Sequence, residues 1–319
     1  MFNLDHSTRA RGALLGLFLG DALAMPAHWY YDRAALRRDY GSITDLIAPR
    51  PEHPDSILWR SSYRARNAKG EILHDQARYW GKRGVHYHQF LRAGENTLNL
   101  QLATLALRSI DERSGYDADD YLRRYIEFMT TPGSHRDTYV EECHRHFFDR
   151  YSQGVDPREC AAVEKHIGGL AGPLAVALAL PGGREAAREH LSLTHRGRVM
   201  ERALDVVLDV LHEVLEGRPL TDSIVEHPGA SDLESWLPFT DEQVVGRLLS
   251  PACYVDDAVP ATLYLALKYA RDPERALIVN TDLGGDNCHR GAMLGALLGA
   301  AHGPDAWPDR WLDVLRVAP

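Results

Sequence analysis

The spacing of apolar residues predicts helices along most of the chain. Between Val199 and Leu215 apolar side chains recur every three or four positions, as on the buried face of an amphipathic helix. Gly217, with Pro219 just beyond it, marks where this helix ends. The same spacing predicts helices over residues 98–110, 121–129, 139–151 and 258–269, whereas alternating strand patterns are rare. The pattern therefore predicts an all-α, compact, single-domain helical bundle over residues 1–319.

Two segments depart from this regular pattern. Residues 49–84 form an irregular excursion rich in Arg, Tyr and Trp. It is either a lid, with aromatic rings stacked on a ligand and arginines on phosphate, or a solvent-exposed loop. Within the predicted helix 290–301, Gly291, Gly295 and Gly299 stand four residues apart. This spacing lets the backbone of another helix approach closely.

Composition and charge narrow the class of protein. The 319 residues are 45% hydrophobic and 25% charged, and the net charge of −9 disfavours bulk binding to nucleic acid. Four scattered cysteines fit a reducing cytoplasm, and no secretory signal stands at the start. Apolar stretches such as residues 169–180 are too short for a bilayer span. We expect a cytoplasmic protein whose partners are small molecules or proteins, not membranes.

Chemically active residues gather in two segments beside predicted helices. Residues 11–28 form an apolar helix that carries Asp21, stops near Pro26 and is followed by His28. Residues 95–97 precede the helix 98–110 and read Glu-Asn-Thr. These residues either cap that helix or contribute to an anion site at its N-terminus.

A third segment opens the helix 290–301. Gly284 and Gly285 permit a tight turn, and the next four residues read Asp-Asn-Cys-His. Helix capping alone does not explain four such side chains in a row. Residues 133–139, which include His135 and Asp137, and the paired carboxylates of residues 256–257 are further candidates.

Taken in this order, the three segments resemble those of the ADP-ribosylglycohydrolase family. Members begin with a helix reading roughly G-A-L-L-G-x-x-x-G-D-A-L-G-x-P-x-E, a frame that residues 12–28 follow. Where members carry T-D-D-T and G-G-D-T-D-T, residues 94–97 read G-E-N-T and residues 284–289 read G-G-D-N-C-H. The resemblance spans nearly the whole chain. It implies an all-α fold with a central cleft, where two Mg²⁺ or Mn²⁺ ions help bind ADP-ribose and cleave its N- or O-glycosidic bond.

The chain departs from the family pattern at the implied metal ligands. Three positions keep the family's residue type: Asp21, Thr97 and Asp286. Other positions hold different donors: His28, Glu95, Asn96, Cys288 and His289. The resemblance therefore implies a site with less negative charge and softer nitrogen and sulfur donors.

Three interpretations of the metal site follow. One divalent ion is retained by some of Glu95, Asn96, Asp286 and His289. Alternatively, zinc or another transition metal is held by His28, Cys288 and His289. In the third interpretation, which we favour here, no metal binds, and Glu95, Asp286 and histidines act as acid and base.

We therefore expect a hydrolase acting on an ADP-ribosyl or related ribosyl N- or O-glycoside. Glu95 and Asp286 would activate water or stabilise charge, Asp21 would support them, and His28 would contact the ribose or the leaving group. The expected ligand-binding residues are Asn96, Thr97, Gly284, Gly285, Asn287, Cys288, His289 and His135. The expected ligand is a small ADP-ribosyl or nucleotide-like molecule or a modified protein. Two alternatives stay open: an inactive ADP-ribose-binding module, and the same fold hydrolysing another N-glycoside.

Overall fold

The residues described by this computed structural model, 7–230 and 232–316, form fifteen α-helices, one pair of two-residue strands and several short 3₁₀ or π turns. The helices are α1 Thr8–Ala24, α2 Arg33–Tyr40, α3 Leu98–Arg113, α4 Ala118–Thr130, α5 Glu142–Ser152, α6 Ala171–Ala179, α7 Arg184–Ser192, α8 Arg198–Leu215, α9 Leu220–Val225, α10 Leu233–Trp236, α11 Asp241–Gln243, α12 Val255–Lys268, α13 Pro273–Asp282, α14 Asn287–His302 and α15 Asp309–Leu312. The strands β1 Ala162–Val163 and β2 His195–Arg196 pair in parallel. The all-α prediction is therefore confirmed.

The predicted helices are present, with shifted ends. The helix predicted over 199–215 is α8, and the one over 98–110 is α3, which runs on to Arg113. The helix predicted over 139–151 begins only at Glu142, because the backbone of residues 139 and 141 is not helical. Tyr139 donates its backbone N–H to the carbonyl of Tyr87, and Glu141 has the extended backbone of a residue before a helix.

Helices α1 and α14 cross at the centre of the fold through facing glycines. A Cβ added at Gly16 or Gly295 would lie 2.0 Å from the other residue's carbonyl oxygen. Gly20 and Gly291 face each other in the same way one turn further along. The close approach predicted from the glycine spacing in α14 is thus present, and it brings the end of α1 beside the start of α14.

The long first helix is a core element. Residues 8–27 are long and apolar enough to cross a membrane by length and composition, but 94% of their most apolar 18-residue window is buried inside the protein. Its residues from Gly12 to Ala24 are all buried. A helix that is apolar on every side is expected at the centre of a large core.

The irregular excursion over residues 49–84 contains only short 3₁₀ turns, at Leu58–Arg60, Ala68–Gly70 and His74–Tyr79. Two histidines at its edges fasten it to the end of α1. His53 donates from Nε2 to the carbonyl of His28 at 3.0 Å, and His86 donates to the carbonyl of Pro26 at 3.1 Å. Burial lowers the pKa of His53 to about 4 and that of His86 well below its usual range, so both are neutral donors. Because His86 is held at this position, His88, two residues further along, is buried beside the end of α1.

Candidate active site

Three helix ends meet at one buried point: the end of α1, the start of α3 and the start of α14. Asp21 lies in the last turn of α1 and accepts three hydrogen bonds there. Thr97 donates from Oγ1 to Oδ1 at 2.7 Å and from its backbone N–H to Oδ2 at 2.9 Å, and Asn96 donates from Nδ2 to Oδ2 at 2.8 Å. Burial raises the pKa of Asp21, and the bonds from Thr97 and Asn96 oppose that shift. Asp21 therefore joins α1 to α3.

His28, just beyond α1, connects two carboxylates through a chain of imidazoles. Its Nδ1 lies 2.7 Å from Nε2 of His88, and Nδ1 of His88 contacts a carboxylate oxygen of Asp137. On its other side, Nε2 of His28 lies 3.1 Å from Oδ1 of Asp286. Burial lowers the pKa of His28 to about 3, although Asp286 acts in the opposite direction.

Asp286 and His289 form a buried pair at the start of α14. Nδ1 of His289 lies 2.8 Å from Oδ1 of Asp286, the same oxygen that His28 contacts. Burial by itself disfavours the charged imidazole, but the carboxylates of Asp286 and Glu141 outweigh it and raise the pKa of His289 to about 10. Burial likewise favours neutral Asp286, yet His289 and His28 hold the pKa of Asp286 well below its usual range.

The far side of His289 faces Glu141 and Asn99. Nε2 of His289 lies 3.0 Å from the side-chain amide of Asn99 and 3.5 Å from Oε1 of Glu141. Asn99 is also bonded to His144 at 3.0 Å. A Cβ at Gly168 would lie 2.4 Å from Nδ2 of Asn99 and 3.0 Å from Oε2 of Glu141. A glycine at this position therefore leaves space beside the two polar groups.

These groups surround a small cavity with a volume of about 10 Å³. A space of this size holds about one water molecule. Its walls are formed by His28, Trp29, His88, Thr97, Leu98, Asn99, Asp137, Tyr139, Glu141 and His289. The second oxygens of Asp137 and Glu141 are buried without a hydrogen-bond partner among the described residues. Two carboxylates of one cavity thus have free lone pairs.

Trp29 forms the aromatic wall of the cavity in an unusual backbone conformation. Its φ of +63° lies in the left-handed region, which costs of order 1–3 kcal/mol for a residue other than glycine. The ring packs edge-on against Tyr87 and Tyr139, with centroids 4.8 and 5.0 Å apart. Strain of this kind is concentrated at functional sites.

Several residues predicted from the motifs lie elsewhere. Glu95 is half-buried outside the cavity wall, where it pairs with Arg136 and accepts the backbone N–H of Arg92 at 2.7 Å. Cys288 packs in an apolar cluster with Ala24, Met25 and Leu91, and burial raises the pKa of its thiol well above the usual range. Neither side chain has the contacts that its predicted role in binding or catalysis requires.

The remaining predicted ligand-binding residues shape the backbone or lie apart. Gly284 and Gly285 both have positive φ, and their Cβ atoms would lie 2.2 and 2.0 Å from the carbonyl oxygens of Tyr30 and Pro251. Asn287 donates to the carbonyls of Thr281 and Ala27 at 2.9 and 3.3 Å. His135 is buried near Phe128 and does not line the cavity. The geometry thus gives the glycines and Asn287 a positioning role.

The aromatic and arginine side chains of the excursion also lie away from the cavity. Arg83 stacks on the ring of Trp59 at 3.6 Å, and Trp80 donates from its indole nitrogen to the carbonyl of Thr138 at 2.8 Å. Neither of these aromatic residues is part of the cavity wall. The excursion reaches the site instead through His88, which follows it in sequence.

The side chains at the motif positions do not fit the pair of hard cations that the family resemblance implies. Hard ions need several free oxygen ligands, but both oxygens of Asp21 already accept hydrogen bonds. Glu95 is already paired with Arg136, and the side chain of Cys288 packs within an apolar cluster. Nitrogen donors from His28 and His289 occupy the space around Asp286.

Sequence reasoning missed His88 and Glu141 and noted Asp137 only as a further candidate. All three lie in or beside loops, where no periodic pattern marks a buried side chain. Asp137 lies in a turn segment rich in polar residues, and Glu141 is the residue before α5. The density of histidine between residues 86 and 88 is the one signal in the sequence that could have pointed to this cluster.

The fold and cavity define a class: an all-α protein with a buried cluster of carboxylates and imidazoles where three helix ends meet. The sequence profile of the ADP-ribosylglycohydrolase family matches residues 3–318, so the chain belongs to that family. A solved structure titled "ADP-ribosylglycohydrolase-related protein complex" is similar over 97% of this chain and 92% of its own, with a TM-score of 0.61 and 24% identity. That similarity supports the fold. Among curated proteins none matches the sequence.

Proposed function

We propose that the protein is a glycohydrolase that cleaves an ADP-ribosyl or related ribosyl N- or O-glycosidic bond at this cavity. Membership of the family supports the substrate class. One observation carries the chemistry: Asp137 and Glu141 line the same cavity, and each has a buried oxygen without a partner in the described structure. Paired carboxylates are the usual means of glycoside hydrolysis.

Glu141 takes the role that the sequence suggested for Glu95. Its free Oε2 faces the space beside Gly168, where it would accept a proton from water or stabilise positive charge on an oxocarbenium-like ribose. One oxygen of Asp137 orients the ring of His88 toward His28, and its other oxygen stays free as the second carboxylate oxygen of the cavity. Asp286 is a positioning residue in this scheme, because its Oδ1 holds both His28 and His289.

Substrate entry requires one wall of the cavity to move. A volume of about 10 Å³ admits a water molecule but not a ribose ring. Closing of a site around its substrate excludes bulk water and strengthens electrostatic contacts. The compact arrangement therefore corresponds to a closed state, and the substrate would replace the contacts between the facing walls.

Glu141→Gln tests the assignment, with Glu142→Gln as its matched control. Substrates should carry ADP-ribose on a guanidino nitrogen, on a hydroxyl oxygen or on a carboxylate oxygen, and a simple nucleoside tests other N-glycosides. Released ADP-ribose or base is measured by chromatography. We expect Glu141→Gln to lower kcat by about 10²–10⁴-fold, because an acid–base group contributes that much. The exposed Glu142 lies outside the cavity wall, so its variant should keep the wild-type rate.

Two outcomes of this experiment would redirect the proposal. Equal rates for wild type and Glu141→Gln would refute the role of Glu141. Stabilisation by ADP-ribose without turnover of any substrate would favour the second candidate, a binding module. That candidate has its own support in Asn96, an amide where the family pattern has a carboxylate, whose Nδ2 donates to Asp21 and to the carbonyl of Phe18.

A further inference from the structure

We propose that His28, Asp286 and His289 form a binding site for a single transition-metal ion. One donor atom from each residue lies within 4.8 Å of the other two. Nε2 of His28 and Nδ1 of His289 contact the same carboxylate, at 3.1 and 2.8 Å. Donors that share an ion through bonds of about 2.0–2.2 Å come this close to each other. The site differs in donor type and number of ions from the pair of hard cations that the family resemblance implies.

The hydrogen-bond chain through His28 indicates a cation at this point. Nδ1 of His88 contacts Asp137, and Nε2 of His88 lies 2.7 Å from Nδ1 of His28. In the tautomer in which Nδ1 of His28 donates to His88, Nε2 of His28 presents a lone pair to Asp286. Two acceptors 3.1 Å apart repel each other unless a cation lies between them. A metal ion bound to both removes the conflict, and at Nδ1 of His289 it would displace to solvent the proton shared with Asp286.

The groups around the three donors match those that orient metal ligands. A ligating histidine usually donates its other ring N–H to a carboxylate, a carbonyl or another acceptor, which fixes its tautomer and ring direction. His28 is held in this way by His88 and Asp137. The other nitrogen of His289 lies 3.5 Å from Oε1 of Glu141, the acceptor on that side.

A free carboxylate oxygen and the adjoining cavity complete the site. Oδ2 of Asp286 has no hydrogen-bond partner among the described residues, although Asp286 is only 1% exposed. An unpartnered oxygen at that depth costs free energy that a metal bond would offset. His28 and His289 also line the cavity, so further ligands of the ion would come from that side.

The donor set predicts which ion binds. Two imidazole nitrogens and one carboxylate suit Zn²⁺, Co²⁺ or Fe²⁺, whereas Mg²⁺ and Ca²⁺ prefer oxygen ligands. Cys288 is not a ligand, because its side chain packs with Ala24, Met25 and Leu91. The inference thus keeps two of the three donors of the transition-metal alternative and replaces the thiol with Asp286.

The test is a metal titration of the full chain without a histidine tag. The protein is stripped with a chelator and titrated with Co²⁺ and then Zn²⁺, with excess Mg²⁺ present, and elemental mass spectrometry gives the stoichiometry. We expect one ion per chain and visible Co²⁺ absorption. His28→Gln, His289→Gln and Asp286→Asn should each weaken binding at least about 100-fold, more than loss of an outer partner does. His190→Gln, which changes a buried histidine bonded to Tyr116, should bind as wild type does.

The metal measurement needs no turnover, so its failure is distinct from failure of the proposed hydrolysis. No binding of Co²⁺ or Zn²⁺ would overturn the inference and leave a shared proton between His28 and Asp286. Two ions per chain, or unchanged affinity in the three ligand variants, would overturn it as well. If a variant does not fold by circular dichroism, X-ray absorption of the Co²⁺-loaded wild type decides, with two imidazole ligands expected and an oxygen-only shell contradictory.

Discussion

Gly295→Ala tests the helix crossing on which the site depends. A Cβ at this position would lie 2.0 Å from the carbonyl oxygen and 2.5 Å from the carbonyl carbon of Gly16. Carbon and oxygen atoms normally approach to about 3.3–3.6 Å, so α1 and α14 would have to separate by about 1 Å or more. The carbonyl cannot turn away, because it belongs to the backbone of α1.

The expected cost follows from two opposing terms. Overpacking of a core costs about 1–3 kcal/mol, and a backbone contact places this site at the upper end. Alanine recovers about 1 kcal/mol over glycine inside a helix. We therefore expect the free energy of unfolding to fall by about 2 kcal/mol, measured by equilibrium urea denaturation.

Gly115→Ala is the matched control for this variant. A Cβ at Gly115 meets no atom within 4 Å, so its stability should stay within about 0.5 kcal/mol of wild type. Wild-type or higher stability of Gly295→Ala would refute the close crossing. The result would also remove the reason for placing Asp21 beside the start of α14.

Two further variants test buried polar groups. Asp21→Asn should lower the free energy of unfolding by about 2–4 kcal/mol in urea, because its new NH₂ would face the donors of Asn96 and Thr97; wild-type stability would contradict the bonding at Asp21. Burial lowers the pKa of His190 to about 3 in the folded protein, whereas its value in the unfolded chain is about 6.5. As pH falls, the unfolded chain therefore binds a proton first, and the free energy of unfolding decreases below about pH 6.5. At pH 5 this loss is about 2 kcal/mol, and His190→Gln should make the pH dependence shallower by that amount. Parallel stability curves for wild type and His190→Gln would contradict the burial of a neutral imidazole.

The helices were predictable because their signals are local. Apolar spacing marks the buried face of α8, and Gly217 with positive φ ends it as the sequence suggested. The start of α5 was placed too early, because apolar spacing continues through Tyr139 and Val140. The backbone N–H groups of Thr138 and Tyr139 both donate to the carbonyl of Tyr87, about 50 positions away in sequence, and hold this segment out of the helix.

Only the residues of this cluster that lie at helix ends could be predicted from the sequence. Asp21, His28, Asp286 and His289 follow from motifs at such ends, and all four belong to the buried network. Glu95 and Glu141 look alike in sequence, since each is a carboxylate shortly before a helix. Their difference is tertiary: Arg136 holds Glu95 outside the cavity, whereas Glu141 lies against His289.

The energetics of the cavity connect the proposed hydrolysis with the proposed metal. Carboxylates at Asp137, Glu141 and Asp286 are removed from water, and a buried anion is costly unless it is paired and hydrogen-bonded. His289 compensates part of this charge, yet one oxygen of each carboxylate still has no partner in the described structure. An ion at Asp286 and ribose hydroxyls at Asp137 and Glu141 would supply the missing positive charge and donors. The groups that weaken the unliganded protein are thus the groups that would give a ligand its binding free energy.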